Sequence, residues 1–297
     1  MKILSSDPSH FAFIKDFPFA EHFTSYNGIK MHYIDEGDGE TILALHGEPS
    51  WCYLYRKFVP ILSKNYRFIA PDFIGFGKSD KMIGREHYTF EFHFDSIVKF
   101  IHHLDLHDIT LVVQDWGGLI GLSVLGEFPE RFKRVVIMNT FLPIGKKLPL
   151  VFKTWQFFSK HHPDLPVGWI MQTGTYNKLS KEVLRAYKAP FPNKKYKDGA
   201  KAFPSLVPSH PGDPGVDRMK KARETLSKWD KPALVLFSDK DPLMSRLAGF
   251  FYHLIPTSNQ QKKITIRDAG HFLQEEKGEE IAEYILIFMN DGLMAPH

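Results

Sequence analysis

The segment from Ile109 to Leu125 constrains the fold more than any other part of the chain. Its first five residues, Ile109–Val113, are apolar and largely β-branched, as in a buried strand, and they lead into small residues and then apolar residues at helical spacing. A strand, a tight turn and a helix form a nucleophile elbow, which lifts one side chain above the edge of a sheet. Asp115 occupies that position, between Val113 and Gly117.

A carboxylate at the elbow favours displacement at a saturated carbon. Attack by aspartate gives an ester that a positioned water can hydrolyse, whereas attack by serine would give an ether that water does not cleave under mild conditions. Asp115 therefore excludes a serine esterase. An aspartate is also a common helix cap, and Asp115 alone does not decide between the two roles.

An acid and a histidine follow in the order expected for this type of site. His271 stands in a predicted loop after a short strand, where it can act as general base. Asp241 and Asp239 both follow the predicted strand 233–237, and we favour Asp241 because it lies beyond the strand end. Asp268 is closer to His271 in sequence and is expected to make local loop contacts.

An early segment predicts an anion site. The buried strand 41–45 ends in His46-Gly47-Glu48-Pro49, and a tight glycine turn exposes backbone N–H groups. The N–H of Glu48 and that of Trp116 would together form an oxyanion hole for an ester intermediate. The turn alone is weak support, but the elbow, the acid–histidine pair and this turn occur in the required order.

Strands alternate with helical segments along most of the chain, which predicts a mostly parallel sheet with helices on both faces. A hairpin with an Asn27-Gly28 turn comes first. From 141 to 228 prolines interrupt helical stretches, and we interpret this part as an inserted helical cap between core segments 1–140 and 229–297. The predicted strands after the hairpin are 41–45, 67–70, 109–113, 134–138 and 233–237.

These motifs resemble those of the haloalkane dehalogenases, in the subfamily of the α/β-hydrolase superfamily that has an Asp-His-Asp triad. The resemblance runs nearly end to end. HGEP and QDWGG are highly specific, while the DxxGxGxS pattern is shared by many hydrolases and mainly supports the fold. The motifs are HGEPSW (46–51), YLYR (53–56), PDFIGFGKSD (71–80), VVQDWGG (112–118), APFP (189–192) and DAGHFLQE (268–275).

The resemblance implies an α/β-hydrolase fold with an inserted helical cap, and hydrolysis of haloalkanes to a primary alcohol, halide and a proton. Asp115 would be the nucleophile, His271 the base that activates water, and Asp241 the acid that holds the imidazole. No cofactor or metal is implied. The partners would be a small apolar halogenated substrate and a halide ion.

In this family two tryptophan N–H groups bind the halide, one directly after the nucleophile and one from the cap. Trp116 is the first. For the second we prefer Trp155 to Trp169, because Phe152-Lys-Thr-Trp155 resembles the cap motif of the family, whereas Trp169 follows a loop and is expected to pack. Further expected pocket residues are Phe152, Phe203, Pro204 and Val207.

Three rival functions depend on other residues. An epoxide hydrolase needs cap tyrosines to protonate the opening oxygen, and Tyr176, Tyr187 and Tyr196 are available. A haloacid dehalogenase is expected to carry arginine where Trp116 stands. A ligand receptor on a hydrolase fold is the rival outside the enzymes, and the complete triad argues against it.

Composition indicates which partners and which compartment to expect. The net charge of +4 is mild for 297 residues and does not suggest a nucleic-acid partner, and the lysines of 194–201 are expected to form a solvated face. A single cysteine, Cys52, excludes an internal disulfide and fits a reducing compartment. We see no apolar run of signal-peptide or membrane-span length. We therefore expect a cytoplasmic protein. We also expect a monomer, although composition does not decide the oligomeric state.

Overall fold

The computed structural model describes residues 1–291. Its strands are β1 (Lys2–Leu4), β2 (His22–Tyr26), β3 (Ile29–Glu36), β4 (Thr41–Leu45), β5 (Arg67–Pro71), β6 (Lys81–Ile83), β7 (Ile109–Gln114), β8 (Phe132–Met138), β9 (Ala233–Ser238) and β10 (Ile264–Ile266). Its helices are α1 (Val59–Leu62), α2 (Phe90–His103), α3 (Trp116–Glu127), α4 (Leu150–His161), α5 (Val167–Gly174), α6 (Lys181–Lys188), α7 (Asp198–Leu206), α8 (Val216–Ser227), α9 (Ala248–Leu254) and α10 (Leu273–Asp291).

Eight strands form the central sheet in the order β10-β9-β8-β7-β4-β5-β3-β2. All neighbours are parallel except β2–β3 and β3–β5, which are antiparallel. The predicted hairpin is confirmed, with both turn residues at positive φ (52° for Asn27 and 76° for Gly28). Since parallel strands end at one edge, the loops after β4, β7, β9 and β10 meet there.

Every residue of β4, β7 and β9 is buried, as expected for strands covered by helices on both faces. The predicted strand bounds are confirmed closely: β4 begins and ends as predicted, β5, β7 and β9 each extend one residue further, and β8 begins two residues earlier. A strand of five or six residues with both faces buried is recognisable in sequence because most of its side chains are apolar.

Helices α4 to α7 follow β8 and lie inside the range predicted for the cap, and we propose that they form it. Helix α8 lies inside the range predicted for the cap, 141–228, yet it packs against the core helix α3. The packing is so close that a Cβ on Gly126 would lie 2.5 Å from the Cα of Ala222. We therefore propose that α8 belongs to the core and that the cap ends before Val216. Residues 292–297 of the predicted second core segment lie outside the described residues.

No helix within residues 1–291 is both long and apolar enough to cross a membrane.

Candidate active site

Asp115 lies between β7 and α3 with φ 50° and ψ −122°. A positive φ is uncommon for a residue with a side chain, and it persists where surrounding contacts fix it. Here the N–H of Asp115 donates to the Asn139 carbonyl at 3.1 Å, and the Asp115 carbonyl accepts from the Thr140 hydroxyl at 2.7 Å. The turn therefore holds the Asp115 side chain at the edge of the sheet.

The glycines around Asp115 are needed for close approach. A Cβ on Gly117 would lie 2.0 Å from the Leu45 carbonyl oxygen, and one on Gly47 would lie 2.4 Å from the Cβ of Asp115. Neither distance is compatible with a side chain. The small residues of both motifs thus allow the end of β4 and the elbow to come together.

His271 lies between two carboxylates. Its Nδ1 is 2.7 Å from Asp241 Oδ2, and its Nε2 is 3.5 Å from Asp115 Oδ2. The other oxygen of Asp241 accepts the backbone N–H groups of Leu243 and Met244 at 2.9 and 3.0 Å. The structure thus brings together the three predicted triad residues from the loops after β7, β9 and β10.

The two carboxylates determine the charge of the histidine. Burial lowers the pKa of His271, but Asp241 and Asp115 outweigh burial and raise it to about 10. Burial likewise opposes ionisation of Asp241, yet the His271 ring and two backbone N–H groups lower the pKa of this carboxyl. The imidazolium is therefore favoured while Asp115 is charged, and less so once that charge is removed.

Two backbone N–H groups surround the Asp115 carboxylate. Glu48 N–H donates to Asp115 Oδ1 at 2.8 Å. Trp116 is the first residue of α3, where the N–H groups have no partner within the helix and the helix dipole favours negative charge. Burial and the Asp115 charge raise the pKa of the Glu48 carboxyl well above its usual range, which favours its uncharged form.

A cavity of about 190 Å³ lies beside Asp115 and His271 and is enclosed mostly by apolar side chains of the core and the cap. Trp116 and Trp155 both line it. Trp169 is 56% exposed and packs against Phe158 with ring centroids 5.8 Å apart. Among the described residues, the structure therefore places Trp155 at the cavity and Trp169 at the surface.

Three of the four predicted pocket residues line the cavity: Phe152, Pro204 and Val207. Phe203, the fourth, is not among the described residues that line the cavity. Its ring is fully buried and packs behind Trp116, with centroids 4.7 Å apart. Helix α7 turns Pro204 towards the cavity, and consequently Phe203 faces the core.

The other acids near the triad have different partners. Asp239 is 3.1 Å from the Lys240 ammonium and 3.8 Å from the Arg267 guanidinium. Asp268 has a positive φ of 53°, and its backbone carbonyl accepts from the side chain of Asn177, which belongs to the distant segment after α5. Asp241 is thus the carboxylate that contacts the His271 ring.

The tyrosines of the rival epoxide mechanism do not line the cavity within residues 1–291. Tyr187 is buried and donates to the Glu275 carboxylate at 2.6 Å, which also pairs with Arg56. Tyr176 is 56% exposed. Tyr196 lies beside His10, with ring centroids 6.4 Å apart.

Two residues that hold His271 were not predicted. Gln114, fully buried, places its Nε2 3.1 Å from His271 Nε2 and donates to the His271 carbonyl at 3.2 Å. Asn139 donates to the carbonyls of Gly270 and His271 at 3.1 and 3.3 Å. Gln114 belongs to a recognised motif and could have been proposed, whereas Asn139 carries no local pattern that indicates this role.

A buried cluster away from the cavity has metal-ligand chemistry: His32, Cys52 and Asp72 place possible ligand atoms within 4.8 Å of one another. The Asp72 carboxylate, however, is 2.8 Å from the His32 ring and accepts the backbone N–H groups of Cys52 and Lys78 at 2.7 and 2.8 Å. Burial also raises the pKa of the Cys52 thiol. These side chains already form a hydrogen-bonded network that fixes the loop after β5.

Sheet order, elbow and triad define an α/β hydrolase, and residues 40–278 match a family model described as the alpha/beta hydrolase fold. The chain is 46% identical to a haloalkane dehalogenase of Psychrobacter cryohalolentis and 42% identical to one of Mycolicibacterium paratuberculosis. The alignments cover 98% and 96% of this chain and 99% and 98% of those proteins. The chain therefore belongs to the haloalkane dehalogenase family.

A solved structure agrees with this family assignment. The tetrameric haloalkane dehalogenase DpaA from Paraglaciecola agarilytica superimposes with a TM-score of 0.89 at 36% identity, over 96% of this chain and 97% of that one.

Proposed function

We propose that this protein hydrolyses the carbon–halogen bond of small haloalkanes, giving a primary alcohol, halide and a proton. The observation that carries the proposal is the row of Asp115, His271 and Asp241 beside a small apolar cavity. The membership of the chain in the haloalkane dehalogenase family supports it. At about 190 Å³ the cavity is smaller than the roughly 300–1,000 Å³ of pockets for drug-sized ligands.

In the first step a carboxylate oxygen of Asp115 attacks the carbon that bears the halogen. The new C–O bond forms as the C–halogen bond breaks, and the halide leaves with the bonding electron pair. No proton moves, so no general acid is needed. The indole N–H groups of Trp116 and Trp155 stabilise the departing charge, because indole is a donor without a lone pair that would repel an anion.

In the second step water cleaves the ester. Esterification removes the negative charge of Asp115, which is one of the two charges that raise the pKa of His271. The neutral imidazole then takes a proton from water through Nε2, and the water oxygen attacks the ester carbonyl. The N–H groups of Glu48 and Trp116 stabilise the oxyanion, and Asp241 stabilises the imidazolium. Collapse breaks the bond between the carbonyl carbon and the alkoxy oxygen. The leaving oxygen takes the proton from His271 Nε2 and departs as the alcohol, while the other proton of the water passes to solvent as Asp115 returns to its carboxylate form.

Halide release from 1,2-dibromoethane, 1-bromobutane and 1-iodohexane tests the proposal, with styrene oxide assayed in parallel on the same purified protein. We expect bromide or iodide release that is lost in Asp115→Ala. His271→Gln should accumulate the alkyl ester, seen by intact mass as the added alkyl group. Epoxide opening without halide release would contradict the proposal, as would a His271→Gln enzyme that turns over normally.

We further propose that the protein acts as a monomer, because one chain supplies every residue given a role above. DpaA is tetrameric, so the assembly of this chain has to be measured. Light scattering during size-exclusion chromatography gives its mass directly. A tetramer with full activity would overturn the monomer but leave the chemistry intact.

A further inference from the structure

Glu276, in the first turn of α10, joins the loop of the proposed base to the cap. Its Oε2 accepts the backbone N–H groups of Gly270 at 2.7 Å and Tyr176 at 3.0 Å. Its Oε1 accepts the backbone and side-chain N–H groups of Asn177 at 2.7 and 2.9 Å. Gly270 directly precedes His271, while Tyr176 and Asn177 follow cap helix α5. One carboxylate therefore collects four donors from two separate parts of the molecule.

Other contacts reinforce the same junction. The His271 N–H donates to the carbonyl of Gly174, the last residue of α5, at 2.6 Å. The Asn177 side chain donates to the Asp268 carbonyl at 3.1 Å. The segments lie so close that a Cβ on Gly270 would be 2.4 Å from the Gly174 carbonyl oxygen. Gly174 also lines the cavity, so the wall of the pocket and the backbone of His271 are fixed to each other.

The position of the His271 backbone matters because its ring bridges two groups. Nδ1 is bound to Asp241, while Nε2 must reach a water that attacks the ester on Asp115. Proton transfer requires hydrogen-bond distance in the reacting complex. A misplacement of about 1 Å can reduce a rate by up to about 100-fold. Alkylation of Asp115 does not use His271 as a base and is not subject to this requirement.

We propose that Glu276 is a positioning residue for ester hydrolysis, which couples cap segment 174–177 to loop 268–271 so that His271 is correctly placed when the cap is seated. Glu276 touches no reacting atom and acts through His271. The proposal rests on the proposed function, because it assigns Glu276 to the second of the two steps.

The test compares Glu276→Gln and Glu276→Ala with the wild type. An amide offers one oxygen to one pair of donors and turns an NH₂ group towards the other pair, whereas alanine removes all four contacts. Glu283→Ala is the control, since Glu283 is exposed on the same helix. Rapid-quench kinetics with 1,2-dibromoethane separates the halide burst, which reports alkylation, from alcohol formation. Hydrogen exchange reports the order of segments 174–177 and 268–271.

We expect alkylation to stay within about twofold in both variants, and ester hydrolysis to slow about tenfold in Glu276→Ala and less in Glu276→Gln. The ester should accumulate on Asp115, and exchange should rise in both segments together. Glu283→Ala should match the wild type. Because the Gln variant keeps the shape of the side chain, it provides the test if the Ala variant fails to fold.

Three results would overturn the coupling: hydrolysis at the wild-type rate, equal slowing of both steps together with a lower Tm, or faster exchange in one segment only. Failure of the proposed function looks different, since the wild type itself would then release no halide. Hydrogen exchange needs no activity and still decides whether Glu276 joins the two segments.

Discussion

Two helices of equal length show how differently the core and the cap are built. Eleven of the twelve residues of core helix α3 are buried, whereas Ser159 is the one buried residue among the twelve of cap helix α4. Helix α3 follows the nucleophile and is packed on every side. Helix α4 carries Trp155 and exposes Leu150 and Phe157, which are 78% and 66% exposed.

The difference suggests that the core and the cap have different roles in the proposed reaction. Asp115 and Asp241 follow the buried strands β7 and β9 and are held largely by backbone hydrogen bonds within the core, so their positions do not depend on how the cap side chains pack. His271 differs, because its backbone N–H also donates to the carbonyl of Gly174 at the end of cap helix α5. Trp155 is held by one face of a helix and by its stacking on Phe158, with centroids 5.8 Å apart. We therefore expect changes in the core to alter the chemistry, and changes in the side chains of α4 to alter halide binding and substrate range.

The largest effect is expected at Asp241. An Asp241→Asn substitution removes the charge that stabilises the imidazolium and allows the wrong tautomer of His271, and we expect ester hydrolysis to fall roughly 10⁴-fold. Asp239→Asn is the matched control, because Asp239 contacts Lys240 and Arg267 instead. Single-turnover alcohol formation measures both. A larger loss in Asp239→Asn would show that the wrong carboxylate was assigned to the triad.

The second effect tests the cap. Trp155→Phe keeps the ring in the cavity but removes the indole N–H, and we expect the rate of halide release to fall by about 100-fold, as for loss of one donor to a developing anion. Trp169→Phe makes the same change at the 56% exposed site and should leave the rate unaltered. Halide bursts with bromide and iodide substrates provide the comparison. Equal losses in both variants would contradict a special role for Trp155.

The sequence was most informative where local constraints are strongest. Strands β4, β7 and β9 are predicted closely because buried parallel strands are mostly apolar, and Asp115 stands out because the elbow needs small neighbours. Trp155 was preferred to Trp169 because its segment resembles the cap motif of the family and because Trp169 follows a predicted loop. Its place at the cavity agrees with that preference.

The remaining differences and omissions concern contacts between distant segments. Phe203 and Pro204 are neighbours on α7, and their sequence does not indicate which of them faces the cavity. Helix α8 follows a proline-rich loop, so its pattern resembles that of the cap until its packing on α3 is known. Glu276 lies next to the recognised motif that ends at Glu275, but its four donors come from segments about 100 residues and a few residues away.

The smallest effect concerns the stability of the contact between core and cap at His93. This histidine of core helix α2 is fully buried, and neither ring nitrogen has a hydrogen-bond partner in the described part of the chain. Its ring packs against Phe203 of cap helix α7, with centroids 4.5 Å apart, and Phe203 in turn supports Trp116. Burial, assisted by the nearby His46, lowers the pKa of His93 to about 3.

Low pH should therefore destabilise the packing of His93 against Phe203. Between the pKa of an unfolded histidine, about 6.5, and the folded value of about 3, the unfolded chain binds a proton that the folded chain does not, so stability falls as pH falls through this window. At pH 5 the cost is about 2 kcal/mol. His93→Phe removes the titrating ring but keeps an aromatic side chain among Phe73, Tyr88 and Phe203.

Urea unfolding at pH 7.5 and 5.0 measures this cost, and we expect His93→Phe to lose about 2 kcal/mol less than the wild type between the two values. His103→Phe, the same exchange at an exposed position of α2, should behave like the wild type. If the free energy of unfolding falls equally in all three proteins, His93 does not determine how stability depends on pH. Phe203 of α7 links the buried His93 to Trp116 of the proposed halide site. A rise of hydrogen exchange at pH 5 that begins in α7 would therefore show that the cap separates from the core before the core unfolds.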